Sequence, residues 1–148
     1  LVQPDVAAID VNCGCPKRFS THAGMGAALL RDPDRLVAIL ERLVGGQPLP
    51  VTAKIRLLPN EEDTLSLVRR LWGTGIRALA VHGRTAAQRY ETPADWGAIR
   101  RIVAASPGPV ILNGDVYSRQ DAERAMRECG AAAVMIARAA QWNASVFS

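Results

Sequence analysis

The sequence contains no apolar run approaching the roughly 18 residues that a membrane-crossing helix needs. Its first residues, Leu1-Val2-Gln3-Pro4-Asp5, form neither a basic leader nor an apolar leader core, so no signal peptide is expected. No initiator Met is present, and the chain is expected to begin inside a longer protein. Cysteine is scarce: Cys13, Cys15 and Cys129 are an odd set without framework spacing. That excludes a disulfide-stapled secreted scaffold and points to a reducing compartment, the cytoplasm by default. A strong charge imbalance is also lacking. The formal net charge of +4, from 18 basic and 14 acidic residues, suits a polyanionic partner but does not by itself identify one. No linker or low-complexity segment interrupts the chain. With 49% hydrophobic and 22% charged residues, its 148 residues can bury one core and form a single domain at most.

What is present is an alternation of short apolar runs with amphipathic helices. Strand-like runs begin at Ala8, Val51, Ala78, Val110 and Ala133, and their mostly continuous hydrophobicity fits parallel strands covered on both faces. Between them, Asp32-Pro33 supplies a cap and a first-turn proline for a helix that Gly45-Gly46 ends. Asn60 with Glu61, Glu62 and Asp63 opens a second helix, and Asp95 or Thr92 a third. Ser118 with Asp121 resembles a capping box for a fourth, whose apolar stripe includes Cys129 as core. Five strands and four helices in strict alternation predict a parallel α/β fold, either an open doubly wound sheet or part of a barrel.

The polar residues discriminate between these. The five strand ends carry Asn12 to Cys15, Lys54 with Arg56, His82 with Arg84, Asn113-Gly114-Asp115, and Ala137-Arg138. Parallel strands share one C-terminal edge, so these groups converge on one mouth, where (β/α)8 barrels place their active sites. An open sheet concentrates its site near one switch point, with fewer strands contributing. The barrel is therefore expected, and the chain is read as partial, covering about strands 4 to 8. Gly14 and Pro16 frame Cys15 in a turn over the mouth. A zinc site is disfavoured because Cys13-x-Cys15 has no second ligand pair at suitable spacing. Lys54 lies inside an apolar strand, where a cation needs an anion or an acceptor. His82-Gly83-Arg84 suits close approach to a ligand, with Arg84 offering an anion fork. The loops around Asn113 and Arg138, with a short helix from residues 138–147, could build a phosphate pocket. A flavin mononucleotide would fit such parts.

At this point the residues resemble a known family. Asp10-Val11-Asn12-Cys13-Gly14-Cys15-Pro16-Lys17, Ser20 and Gly24-Met25-Gly26-Ala27-Ala28-Leu29-Leu30 are similar to the active-site signature of the tRNA-dihydrouridine synthases. Thr52 to Arg56, Val81 to Thr85, Ala94-Asp95-Trp96 and Asn113 to Asp115 agree in order and spacing. Lys17 to Ser20 and Ala137 to Asn143 look most like the eukaryotic type acting at position 20 of tRNA. The resemblance implies reduction of uridine in tRNA with FMN, reduced in turn by NADPH or NADH. It makes Cys15 the general acid that protonates C5 of uracil while the flavin delivers hydride to C6. Ordinary thiols, with pKa near ~8.5, carry the proton such a role needs. The resemblance further assigns flavin binding to Lys54, His82, Asn113, Gly114, Asp115, Ala137 and Arg138. It assigns uracil contact to Asn12 and substrate or phosphate contact to Arg56 and Arg84.

Two departures matter. Cys13 replaces a larger apolar residue and could be confused with Cys15 in a thiol assay, and Ala137 replaces a glycine and could crowd the phosphate. A full barrel takes roughly 250 residues, so the first three βα units and the helical tRNA-binding domain are expected elsewhere. The chain alone is expected to bind flavin weakly and to be inactive. Two alternatives stay open: an FMN barrel reducing small pyrimidines, like dihydroorotate or dihydropyrimidine dehydrogenases, and an inactive truncated paralogue.

Overall fold

The computed structural model describes residues 5–147; residues 1–4, on which the reading of the chain start rests, lie outside them. Five strands, β1 (Ile9–Asn12), β2 (Val51–Leu57), β3 (Ala78–Thr85), β4 (Val110–Asn113) and β5 (Ala133–Met135), form one parallel sheet in sequence order. A doubly wound sheet reverses its strand order at a switch point; this one does not. The chain forms a wall of five consecutive βα units, the α/β architecture expected of a partial (β/α)8 barrel.

The four longer helices begin where side-chain caps satisfy their first N–H groups. α1 (Arg18–His22) is a single turn, and a 3-10 segment, Gly26–Arg31, follows it. α2 (Pro33–Gly46) is capped by Asp32, α3 (Glu61–Gly73) by Asn60, α4 (Trp96–Ala105) by Asp95 and α5 (Arg119–Cys129) by Ser118. Asp95, not Thr92, opens α4: its Oδ1 accepts the Ala98 N–H at 2.7 Å. At α5 the box closes one residue early, with Asp121 accepting from the Tyr117 N–H at 3.1 Å. The tail forms α6 (Arg138–Trp142) and a 3-10 turn, Ala144–Phe147, with Asn143 between them. α1 and the 3-10 segment are too short for helical periodicity to reveal.

Burial along the strands is not continuous. β2 alternates strictly, with Val51, Ala53, Ile55 and Leu57 buried and Thr52, Lys54 and Arg56 half-buried. The buried set packs under the helices with Leu36, Leu40, Leu71, Ile99 and Ile102. Each such aliphatic side chain contributes about 1.5–3 kcal/mol by leaving water. The other face is the concave one, and it carries polar groups the apolar composition concealed. Among them Thr52 Oγ1 donates to Asp10 at 2.7 Å. No helix of the described residues is long and apolar enough to cross a membrane.

Candidate active site

The register places the polar residues in rows. Asn12 pairs with Lys54 across β1 and β2. Arg56, His82, Asn113 and Met135 stand level across β2 to β5. Because paired residues of a sheet share a face, these side chains project together from the concave side near the C-terminal edge.

The turn carrying Cys15 is built by its neighbours. Asn12 Oδ1 accepts the N–H groups of Gly14 (3.1 Å) and Cys15 (3.0 Å), so the carboxamide oxygen shapes the turn. Only its NH2 group is left for the uracil contact expected of Asn12. The Cys15 carbonyl accepts the Ala27 N–H at 2.9 Å. Gly26 lies beneath it at φ 58, where a Cβ would stand 2.6 Å from that carbonyl and 2.5 Å from Ser20 Oγ. No other residue fits there. Cys15 itself is half-buried and free. Cys13, by contrast, is fully buried and donates its S–H to the Val11 carbonyl at 3.3 Å. Burial, and then the Asp10 charge, push its pKa up to about 12, so the expected confusion of Cys13 with Cys15 does not arise in the folded chain.

Lys54 is half-buried, and its ammonium makes no hydrogen bond or ion pair among the described residues. Burial lowers its pKa, Arg56 lowers it further, and Asp10 opposes both. Among the described residues Asp10 acts on this cation only from a distance, with no ion pair formed. Arg56 was expected to contact substrate or phosphate, and two of its donors are held by backbone carbonyls of the fold. Nε donates to the Gly14 carbonyl (2.8 Å) and Nη1 to the Thr85 carbonyl (3.1 Å). It ties the Cys15 turn to the end of β3.

Arg84, for which substrate or phosphate contact was expected, is the more enclosed of the two arginines. Only 2% exposed, it directs Nη2 at both Asp115 oxygens (2.6 Å each), Nε at the Thr92 carbonyl and Nη1 at His82 Nε2 (3.2 Å). Its fork is spent on the protein, because a buried guanidinium must have its donors satisfied. A guanidinium only donates, so Nε2 of His82 accepts and the ring proton sits on Nδ1. Burial first, and then Arg56, Lys54 and Arg84, depress the His82 pKa to about 3. His82 is a neutral imidazole of fixed tautomer. Burial works against ionisation of Asp115, but hydrogen bonds from Arg84 and the Ala94 N–H outweigh it and hold that carboxyl below its usual range.

His82, Asn113, Gly114, Asp115, Ala137 and Arg138 line one small cleft, and Lys54 is not among its lining residues. Asn113 joins β4 to β5 by donating Nδ2 to the Met135 carbonyl at 2.8 Å. Gly114 has φ 115, and a Cβ there would meet Ala94 Cβ at 2.8 Å and His82 Cδ2 at 3.0 Å. Ala137 adopts φ −123 and ψ −78, outside the positive-φ region that favours glycine. Arg138 stands 3.8 Å from Asp115 and over the rings of Tyr90 and Tyr117. Neither tyrosine was foreseen: both sit in loops, where no periodicity marks them. A larger groove of about 380 Å³ runs past Pro16, His22, Arg31 and Ala86, beside the Cys15 turn.

The family model described as dihydrouridine synthase matches residues 1–148. The tRNA-dihydrouridine(20) synthase [NAD(P)+] of Schizosaccharomyces pombe is 49% identical, over 99% of this chain and 32% of its own length. The tRNA-dihydrouridine synthase B of Xanthomonas campestris is 43% identical, over 94% of this chain and 42% of its own. The chain thus spans a third to less than half of these relatives. Among solved structures, a phosphonomutase candidate from Burkholderia cenocepacia superposes with a TM-score of 0.64 at 15% identity, covering 90% of this chain and 61% of that one. At that identity the likeness concerns the fold alone.

Proposed function

We propose, since this chain belongs to the dihydrouridine synthase family, that the protein containing it reduces uridine to 5,6-dihydrouridine in tRNA. FMN is its cofactor and NADPH or NADH its reductant, and it works in the cytoplasm. The observation that carries this reading is the set of groups that successive strands present: a free thiol at Cys15, a half-buried ammonium at Lys54 without an ion-pair partner among the described residues, and a cleft ending in Arg138.

These residues suit a flavin mononucleotide. Among the described residues no acceptor meets the Lys54 ammonium, and an electron-rich ring edge would supply one. Gly114 leaves backbone bare beside His82, and Arg138 offers a phosphate its unshared donors. When bound, the flavin supplies hydride to C6 of the uracil. Cys15 gives its proton to C5, so that the base gains one hydride and one proton, and the resulting thiolate regains a proton from solvent. Arg56 lies close enough to couple to the Cys15 charge and steadies the turn through Gly14. His82, kept neutral, hydrogen-bonds without adding a third positive charge beside Lys54 and Arg56. The target base must leave its stack to reach the mouth, at a cost of a few kcal/mol.

The test is Cys15→Ala in the full-length protein. Dihydrouridine formation in tRNA is expected to be lost while flavin stays bound. Undiminished turnover refutes the acid role; turnover of free uracil or dihydroorotate with none of tRNA would move the protein to the small-pyrimidine class.

A further inference from the structure

The sequence holds two tyrosines, and both meet the same arginine. Tyr90 comes from the loop after β3 and Tyr117 from the loop after β4, and the Arg138 guanidinium carbon lies 5.3 Å and 5.6 Å from their ring centres. Tyr117 is anchored in turn, its hydroxyl 3.3 Å from Asp115 Oδ1. Charge around the arginine is unequally shared. Asp115 meets buried Arg84 through both oxygens at 2.6 Å but approaches Arg138 only to 3.8 Å. With His82 neutral, the cleft holds two guanidinium groups against one carboxylate, and the outer cation is the one left over.

Resting on the flavin reading above, we propose that Tyr90 and Tyr117 are positioning residues that hold Arg138 for the phosphomonoester end of the flavin. They set the preference of this site for a phosphorylated flavin over the unphosphorylated one. An arginine side chain is flexible, and ordering it on ligand arrival costs affinity. Aromatic faces hold the guanidinium through its π-surface and leave its edge N–H donors directed at the ligand. Arg84 and Asp115 neutralise each other beneath, so the phosphate meets one unbalanced positive charge instead of a closed ion pair.

The experiment uses the full-length protein stripped of flavin and titrated separately with FMN and with riboflavin, following flavin fluorescence. Tyr90→Ala and Tyr117→Ala are each expected to weaken FMN binding about two- to fivefold, and the double variant about five- to thirtyfold, from cation–π contributions of the usual size. Riboflavin affinity is expected to stay at its wild-type value in all three. Tyr90→Phe, which keeps the ring, should bind FMN as the wild type does. An unchanged FMN affinity in the double variant overturns the proposal, as does an equal loss for riboflavin, which would report general damage. Should the unaltered protein bind neither flavin, the flavin reading itself fails, and this inference with it.

Discussion

Burial sorts the three thiols by reactivity before any chemistry begins. Cys13 is fully enclosed with its pKa raised to about 12, Cys129 is buried against α4 with its pKa also raised by burial, and Cys15 remains half-buried at the mouth. Brief alkylation of the folded full-length protein near neutral pH, read by peptide mass spectrometry, should therefore modify Cys15 well before the other two; comparable modification of Cys13 would contradict this burial. Gly26→Ala probes the same turn from below. Its Cβ would overlap Ser20 and the Cys15 carbonyl, and its φ of 58 would be strained. We expect a loss of about 2–4 kcal/mol in denaturant unfolding, from overpacking and the left-handed backbone together. His82 gives a pH prediction. Its pKa falls from 6.5 to about 3 on folding, so between these values the unfolded chain binds the extra proton. Its contribution is complete above pH 6.5 and is lost as pH drops toward about 3. In His82→Gln the slope of stability against pH in that window should flatten by up to about one proton; an unaltered slope would show that the imidazole is not held neutral. The motifs made Cys15, Lys54 and the cleft residues legible in the sequence. The partners of Arg56 and Arg84 were not, because a guanidinium that grips backbone carbonyls and one that awaits an anion have the same one-letter code.

Elements were legible where caps and periodicity coincide. Asp32, Asn60 and Ser118 mark their helices in the sequence and cap them in the fold. The choice between Thr92 and Asp95 needed the structure, since both residue types cap helices. Asp95 wins because its backbone N–H is already bound to the Gly83 carbonyl at 2.6 Å, which fixes where α4 can start. Asp95→Ala should cost about 1 kcal/mol of stability, measured by thermal or denaturant unfolding, whereas Thr92→Ala should cost clearly less. Thr92 acts there through its backbone carbonyl, which accepts from Arg84 and which alanine retains. The alternation along β2 was missed for a different reason. The stems of Lys54 and Arg56 count as partly apolar in any run, although only one face of the strand enters the core.

At the scale of the molecule, strand order follows from the sequence because each βα unit lies beside the next, and convergence of polar strand ends separated barrel from open sheet. What sequence alone leaves open is closure. β1 and β5 have a partner on one side only among the described residues, and the concave face between them carries Lys54, Arg56 and His82 only partly covered. Closing a barrel takes eight strands and roughly 250 residues, and this chain spans 32% of the Schizosaccharomyces pombe relative. Residues 1–148 expressed alone should thus hold the phosphate end of a flavin but leave its ring against water, where Lys54 gains little from an exposed acceptor. We expect FMN affinity at least ~100-fold below that of the full-length protein, since apolar contact to the ring from further strands would be missing. The open edges should also drive concentration-dependent association, visible by light scattering. Saturable binding by the isolated chain at full-length affinity would mean that five strands suffice. The dependence of Lys54 on a closed, water-poor mouth would then have to be abandoned.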